Sequence, residues 1–246
     1  MMVYDCFMFW REFECLRIRL NELRGVVDEF IIVESASTHN GQEKPLRFPG
    51  FDDPILKQVN VTYWPLMREP STKDVQEAIR KLPPGMQTVA WARENFQRRQ
   101  IQNALWENDV HVDDLVLLSD CDEIPSAASV WRAREILGAG DRRIARFDQL
   151  LCYWYLNACL EPEPQPRLCS RALRWRGGLD LQEVRFDMAG PVIEHGGWHF
   201  GWLGDAQMAR EKIKAFAHQE LDVEYVLVDG YLEWCRKTGK SSFASA

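Results

Sequence analysis

The feature that most constrains this chain is an apolar run that ends abruptly in a group of acids. Residues 115–125 read LVLLSDCDEIP, in which four apolar residues lead to Asp120, Asp122 and Glu123. Such a run predicts a strand that is buried on both faces, as in a parallel sheet covered by helices. Ligands of these sheets bind beyond the carboxyl ends of the strands, so we expect the acids to lie in a cleft.

The spacing of the acids indicates a cation site. Asp120 and Asp122 are two positions apart, which on an extended chain points both side chains the same way. Two carboxylates suit a hard divalent cation, and Mg²⁺ or Mn²⁺ suits a substrate that carries phosphate. Helix capping is the alternative, because the segment AASVWRAREIL that follows Ser126 has a helical pattern. A cap needs one acid in the first turn rather than three ahead of it, which favours the cation site.

Strand and helix patterns alternate through the first two thirds of the chain. We expect strands at residues 3–9, 30–33, 59–64, 115–118 and 144–147. Helical spacing covers residues 13–23, 89–105 and 127–137, and residues 68–86 are predicted to be a surface excursion. The alternation predicts an α/β fold with a mostly parallel central sheet flanked by helices. After Leu150 the pattern blurs, so we expect one domain, 1–246, with a regular half 1–150 and an irregular half 151–246.

Composition and charge exclude several classes of protein. The 246 residues include 37 Asp and Glu against 30 Lys and Arg, and the net charge of −7 argues against a nucleic-acid partner. The start MMVYDCFMFWRE has neither a basic region nor a long apolar stretch, so we expect no membrane segment and a cytoplasmic location. Seven scattered cysteines without CxxC spacing predict reduced thiols and argue against zinc.

Histidines and tryptophans cluster near the C-terminal third. In the segment HGGWHF, His199 follows a pair of glycines that permit a tight turn, and we expect it to join Asp120 and Asp122 as a metal ligand. A buried, hydrogen-bonded histidine is the alternative, and His218 is a rival ligand. Trp198 and Trp202 are predicted to stack on sugar rings, while the other tryptophans are assigned to the core.

The predicted helix 89–105 carries three arginines, Arg93, Arg98 and Arg99. A solvated charged face is the default interpretation of such a helix. Contact between one of these arginines and a phosphate group is the alternative.

Four blocks of the sequence resemble family 17 glycosyltransferases. They are YDCFMFWREFECLRIRLNEL, VDEFIIVESASTHNGQEKPLRF, SDCDEIP and GGWHF. That family includes the enzyme that adds the bisecting N-acetylglucosamine to N-glycans, a β-1,4-mannosyl-glycoprotein β-1,4-N-acetylglucosaminyltransferase. Four blocks in the same order are more specific than any single motif.

The resemblance implies a GT-A type fold and a nucleotide-sugar donor such as UDP-GlcNAc. It also implies transfer to a glycan hydroxyl with inversion at the anomeric carbon. Residues 1–150 would then bind the nucleotide-sugar, and residues 151–246 would form the acceptor side. By this resemblance Asp120 and Asp122 would bind the donor diphosphate through Mn²⁺ or Mg²⁺. The residues expected to contact the donor are Asp5, Glu34, His39, Lys44, Arg93 and Trp198.

A carboxylate must also take the proton of the acceptor hydroxyl. Glu123 beside the acid pair and Glu194 beside the glycine turn are the candidate bases, with Asp180 and Glu220 as further candidates. Animal members of the family carry a membrane anchor, whereas this chain begins almost at its first strand, so it resembles a soluble bacterial or viral member.

Two other functions remain open from the sequence. A haloacid dehalogenase-type phosphatase or phosphotransferase also ends a strand in Asp-x-Asp, and it would use Asp120 as a nucleophile. In that class the motif normally follows the first strand near the N-terminus, whereas here it lies in the middle of the chain. A non-catalytic sugar-binding protein is the second alternative.

Overall fold

The computed structural model describes residues 1–139, 143–159, 170–219, 222 and 230–240. Its eight strands form one sheet in the order β3-β2-β1-β4-β7-β6-β8-β5. The strands are β1 (Val3–Met8), β2 (Glu29–Ser35), β3 (Val61–Leu66), β4 (Leu115–Asp120), β5 (Glu123–Pro125), β6 (Ile144–Tyr153), β7 (Arg171–Arg174) and β8 (Val192–Gly201).

Helices cover the sheet, and three of the seven in the described residues lie where the sequence predicts them. They are α1 (Phe13–Leu23), α2 (Thr72–Lys81), α3 (Val89–Glu107), α4 (Ala127–Gly138), α5 (Leu181–Phe186), α6 (Ala206–Ala215) and α7 (Tyr231–Thr238). In the described residues, none of these helices combines the length and apolarity that a bilayer crossing requires. The predicted surface excursion at residues 68–86 is mostly exposed, and it contains α2, a helix that the sequence pattern did not indicate. That helix begins at Ser71 with a capping box closed by Asp74.

The first half of the sheet is parallel, as predicted. β1 lies between β2 and β4 and pairs with both in parallel, and β3 extends the sheet beyond β2. Side chains of one face, such as Phe7 and Leu117, pack in a core with α1. Side chains of the other face, such as Ile31 and Leu118, pack against α3. Burial on both faces explains why these strands are continuous apolar runs rather than alternating ones.

The second half of the sheet is mixed, but four of the seven strand pairings in the described sheet are parallel, as predicted. β7 pairs antiparallel with β4 and β6, while β8 pairs parallel with β6 and antiparallel with β5. The β5–β8 pairing places Glu123 opposite His199. Only glycine fits at Gly197, because its φ is +126° and a Cβ there would lie 2.1 Å from the Ile124 carbonyl oxygen. The glycine pair therefore brings β8 against the acid motif.

The prediction that the cysteines are reduced is wrong for one pair. Cys152 and Cys159 form a disulfide that closes the short excursion at the end of β6. Cys6, Cys15 and Cys121 are buried free thiols, Cys235 is also buried, and Cys169 lies outside the described residues. The two cysteines are only seven positions apart, but no CxxC pattern marks them as a pair.

Candidate active site

A cleft with a volume of about 490 Å³ opens at the carboxyl ends of β1, β2 and β4. Its floor is the acid motif between β4 and β5, including Asp120 and Asp122. One wall comes from the end of β1, the loop after β2 and α3. The opposite wall comes from α5, the end of β8, and α6 with the residues that follow it. The position agrees with the rule for ligand sites in open α/β sheets.

Asp120 is held between two arginines. Its Oδ1 accepts a hydrogen bond of 2.8 Å from Arg98, and its Oδ2 accepts one of 3.0 Å from Arg185. Burial alone would raise the pKa of Asp120, but the two guanidinium groups outweigh burial and hold that pKa well below its usual range. The side chain is still 37% exposed toward the cleft. Asp120 is therefore a charged carboxylate that a ligand can reach.

Asp122 faces a different cation. Its Oδ2 accepts a hydrogen bond of 2.8 Å from Lys212 Nζ, and its Oδ1 lies 3.9 Å from His199 Nε2. Lys212 also lies 3.0 Å from Glu12 Oε1. Burial opposes the charge of Lys212, but Asp122 and Glu12 raise its pKa well above the usual value. Burial likewise opposes the charge of Asp122, yet Lys212 and His199 lower its pKa.

Glu123 is a buried partner of Arg185 rather than an open carboxylate. Arg185 donates to its Oε1 at 2.5 Å, and the backbone N–H of Asp120 donates to its Oε2 at 3.0 Å. Both oxygens are therefore engaged, and the side chain is buried. This arrangement fits a residue that positions Arg185 better than it fits a general base.

Asp5 lies beneath the acid motif, outside the cleft lining. It forms a fully buried ion pair with Arg19, whose Nε lies 2.6 Å from Asp5 Oδ2. The same guanidinium donates to the carbonyl oxygens of Asp120 at 2.9 Å and Glu123 at 3.0 Å. Asp5 therefore has a structural role instead of the predicted role in donor binding. Its carboxylate binds Arg19, and Arg19 in turn holds the backbone of the motif.

Glu34 and Lys44 also lie outside the cleft lining. Glu34 is completely buried and accepts hydrogen bonds from the backbone N–H groups of Arg47 at 2.7 Å and Phe48 at 3.0 Å. Lys44 Nζ lies 3.3 Å from Glu34 Oε1, and Tyr63 donates to Oε2 at 3.0 Å. The expected role in donor binding does not fit this position, because these groups bind one another and order the loop after β2.

Of the other expected donor contacts, only His39 lines the cleft in the described residues. Its Nδ1 lies 3.7 Å from Glu94 Oε2, and burial lowers the pKa of this imidazole. Arg93 lies outside the cleft lining and pairs with Glu69 at 3.0 Å. Its guanidinium packs against Gly41, where a larger residue would clash with it. Trp198 packs against the core and stacks with Phe200 at 6.5 Å, which leaves it outside the cleft.

The remaining candidates divide in the same way. His218 and Trp202 line the cleft. The His218 ring packs edge to face against Trp91, with ring centroids 4.6 Å apart. Glu194 is exposed on β8 outside the cleft lining, so it does not meet the acids. Asp180 caps α5 and pairs with Arg99 at 2.5 Å. Glu220 lies outside the described residues.

Two of the three basic residues of the cleft, Arg185 and Lys212, were not among the candidates from the sequence, and Arg98 was expected by default on a solvated face. Arg98 is buried rather than solvated, and it bridges Glu94 and Asp120. Its i,i+4 spacing from Glu94 is the one local signal that points to this pair. Arg185 and Lys212 lie on short helices with no local pattern that marks them for the site.

The donor atoms of this cleft fit a divalent cation by chemistry and by charge. The described lining contains five carboxylates, of Glu12, Glu94, Asp120, Asp122 and Glu123, against three basic side chains, of Arg98, Arg185 and Lys212. Among these eight charged groups the negative charges exceed the positive ones by two, which one Mg²⁺ or Mn²⁺ would balance. The predicted ligand group of Asp120, Asp122 and His199 is nevertheless not assembled: among the described residues, no three acidic, His or Cys side chains are grouped to hold a metal. The basic side chains occupy the carboxylate oxygens instead.

Comparison with known proteins identifies the family. The model of glycosyltransferase family 17 matches residues 1–221. β-1,4-Mannosyl-glycoprotein 4-β-N-acetylglucosaminyltransferases of Homo sapiens, Rattus norvegicus and Mus musculus are each 28% identical to this chain over 130 residues, which is 48% of this chain. The matched part spans 21% of the length of these relatives.

Two solved structures are among those similar to this chain. A 4-diphosphocytidyl-2C-methyl-D-erythritol synthase is 13% identical with a TM-score of 0.44, over 85% of this chain and 94% of that one. Residues 1–349 of S. aureus TarS are 8% identical with a TM-score of 0.45, over 96% of this chain and 78% of that one. The match of the family model over most of the sequence decides the assignment: the chain belongs to glycosyltransferase family 17.

Proposed function

We propose that this enzyme transfers N-acetylglucosamine from UDP-GlcNAc to a hydroxyl group of a glycan, with inversion at the anomeric carbon and with Mn²⁺ or Mg²⁺. The observation that carries the proposal is the cleft floor, where Asp120 and Asp122 lie among Arg98, Arg185 and Lys212 at the carboxyl ends of the parallel strands. The names of the three mammalian relatives support N-acetylglucosamine as the sugar.

The charges of the cleft suit a diphosphate leaving group. Asp120 and Asp122 are the carboxylates that would hold the cation, which when bound would offset the negative charge of the departing diphosphate. Arg98, Arg185 and Lys212 lie within 3.0 Å of carboxylates of the floor, so they are already placed to bind phosphate oxygens. Preorganised charges of this kind stabilise a transition state without reorganisation at the moment of reaction.

We assign the role of general base, which takes the proton of the acceptor hydroxyl, to His39 with Glu94 beside it. Both line the cleft, and His39 Nδ1 lies 3.7 Å from Glu94 Oε2, an electrostatic contact rather than a hydrogen bond. The lowered pKa of His39 keeps the imidazole neutral near neutral pH, as a base requires. This assignment takes the role of base from Glu123, whose oxygens are engaged, and from Glu194, which lies outside the cleft.

The two alternatives from the sequence have less support. A phosphatase nucleophile at position 120 would need a carboxylate oxygen that can attack, whereas Arg98 and Arg185 bind the two oxygens of Asp120. A sugar-binding protein without activity does not need so many charged groups in one cleft.

Nucleotide release across UDP, GDP and CMP sugars, with and without Mn²⁺, tests the proposal. We expect release from UDP-GlcNAc in the presence of a glycan acceptor, and we expect chelation of the metal to remove it. An Asp122→Asn variant should lose release while it keeps its fold. Preference for a GDP or CMP sugar, or release that is unaffected by chelation, would refute the corresponding part of the proposal.

A further inference from the structure

Lys212 occupies a position of the kind that a divalent cation takes. Its ammonium lies between two buried carboxylates, 2.8 Å from Asp122 Oδ2 and 3.0 Å from Glu12 Oε1. The Lys212 side chain is 19% exposed, and each of the two carboxylate side chains is 10% exposed. One positive charge therefore bridges two negative charges at the floor of a cleft that carries an excess of negative charge.

The two carboxylates are fixed, whereas the ammonium is on a flexible stem. Glu12 Oε2 accepts hydrogen bonds from the backbone N–H groups of Trp10 at 3.1 Å and Arg11 at 3.2 Å, which hold it at the start of α1. Asp122 belongs to the acid motif, whose backbone is held from below by Arg19. Lys212 reaches both from α6 through four methylene groups. Its ammonium is thus the part of this cluster that can move at the lowest cost.

We propose that Lys212 is an exchangeable internal counterion that makes the binding of the metal and the binding of the diphosphate depend on each other. A cation that binds Asp122 meets the ammonium as a like charge, so Lys212 must leave. A diphosphate in the same cleft gives Lys212 a new partner of opposite charge. Each of the two ligands therefore favours the other, and by linkage the effect is reciprocal. The inference rests on the proposed function for the presence of a diphosphate.

Binding of Mn²⁺ to the full chain without nucleotide tests the exchange directly. Free Mn²⁺ would be measured by electron paramagnetic resonance for the wild type, for Lys212→Met and for Lys214→Met, an exposed lysine on the same helix. We expect Lys212→Met to bind Mn²⁺ about tenfold more tightly than the wild type, since the competing charge is gone. Lys214→Met should bind as the wild type does. Equal or weaker Mn²⁺ binding by Lys212→Met would overturn the proposal.

The coupling itself can be measured on the wild type, which keeps the proposal testable if the Lys212→Met variant does not fold. With inorganic pyrophosphate as the probe, and with correction for the complex that it forms with Mn²⁺ in solution, we expect the protein to bind Mn²⁺ about 5- to 150-fold more tightly. The Lys212→Met variant should lose most of this coupling. Wild-type affinity that pyrophosphate leaves unchanged would overturn the proposal.

Neither measurement uses a sugar nucleotide or turnover, so the two proposals fail separately. A chain that shows the coupling but releases no nucleotide from any UDP-sugar would refute the proposed donor and support the exchange. A chain that uses UDP-GlcNAc but shows neither effect would refute the exchange alone.

Discussion

The acid motif has ion pairs on two sides, and the sides differ in what the pairs hold. Below the motif, the guanidinium of Arg19 is fully buried and binds both the Asp5 carboxylate and backbone carbonyl oxygens of the motif. On the cleft side, Arg98, Arg185 and Lys212 bind the side-chain carboxylates of Asp120 and Asp122.

The contrast shows how one kind of interaction serves two purposes. Contacts to backbone carbonyl groups below the motif fix the path of the chain, and no ligand can replace them because solvent does not reach them. Contacts to side chains in the cleft set the charge of the site, and a ligand that enters the cleft can compete for them. The lower pair, Arg19 with Asp5, should therefore matter for stability. The upper pairs, which Asp120 and Asp122 form on the cleft side, should matter for binding and turnover.

Replacing the lower cation should have the largest effect on the fold. Arg19→Met leaves Asp5 as a buried charge without a partner, and we expect the free energy of unfolding to fall by about 3–5 kcal/mol. Urea denaturation measures this change. The control is Arg17→Met on the same helix, where the side chain is 44% exposed and a loss within about 1 kcal/mol is expected. Equal losses in the two variants would contradict the structural role of Arg19.

Replacing an upper carboxylate should affect turnover more than stability. Asp122→Asn removes a charge that we assign to the metal, and we expect kcat for nucleotide release to fall by about 10²- to 10³-fold. The free energy of unfolding should change less than in Arg19→Met, because Lys212 keeps Glu12 as a partner. The distinction between the two sides would fail if the Asp122 variant lost as much stability as the Arg19 variant.

Acidification should lower the stability of the fold in two stages, through groups that line the cleft. Burial opposes the charges of both carboxylates, but arginines hold the pKa of Asp120 below its usual range and Lys212 does the same for Asp122. The two ionised carboxylates therefore stabilise the fold above about pH 4, and this stabilisation is lost as the pH falls further. Burial lowers the pKa of His39, so the unfolded chain binds this proton first, and stability starts to decline below about pH 6.5.

The melting temperature as a function of pH measures both stages. His39→Gln should remove the decline that begins near pH 6.5, and Asp120→Asn should reduce the decline at lower pH. A melting temperature that rises on acidification would contradict the assigned directions.

The smallest effect is expected on the outer face of β8. Glu194 is exposed outside the cleft lining, so Glu194→Gln should change the free energy of unfolding by no more than about 0.5 kcal/mol and leave kcat unchanged. Steady-state kinetics and urea denaturation check this. A large loss of kcat would restore Glu194 as the base and count against His39 and Glu94.

The regular half of the fold was readable from local patterns. The predicted strand at residues 3–9 is β1 at Val3–Met8, and the predicted helix at residues 13–23 is α1. Periodicity did not show that β7 would reverse the direction of the sheet beside β4. Strand direction depends on pairing between distant residues, and no local spacing encodes that pairing.

Candidate residues divide along the same line. Asp120, Asp122, Glu123 and His199 meet in the cleft, because strand ends and the glycine pair of β8 bring them there. A second group of candidates lies at similar places in the sequence, at strand ends or in loops, but outside the cleft lining. Its members are Asp5, Glu34, Lys44, Arg93, Trp198 and Glu194. An acid at a strand end is consistent with either outcome, because burial and the nearest cation decide its role.

By itself the sequence determined that a buried strand ends in an acid motif at the edge of a sheet. Only the tertiary structure decided what those acids face. The cations that bind Asp120 and Asp122 are Arg98, Arg185 and Lys212, and they lie 22, 65 and 90 positions from their partners along the chain. Charges so far apart in sequence meet only after the sheet has formed and helices have packed against it, so no local pattern could predict the balance of charge in the cleft.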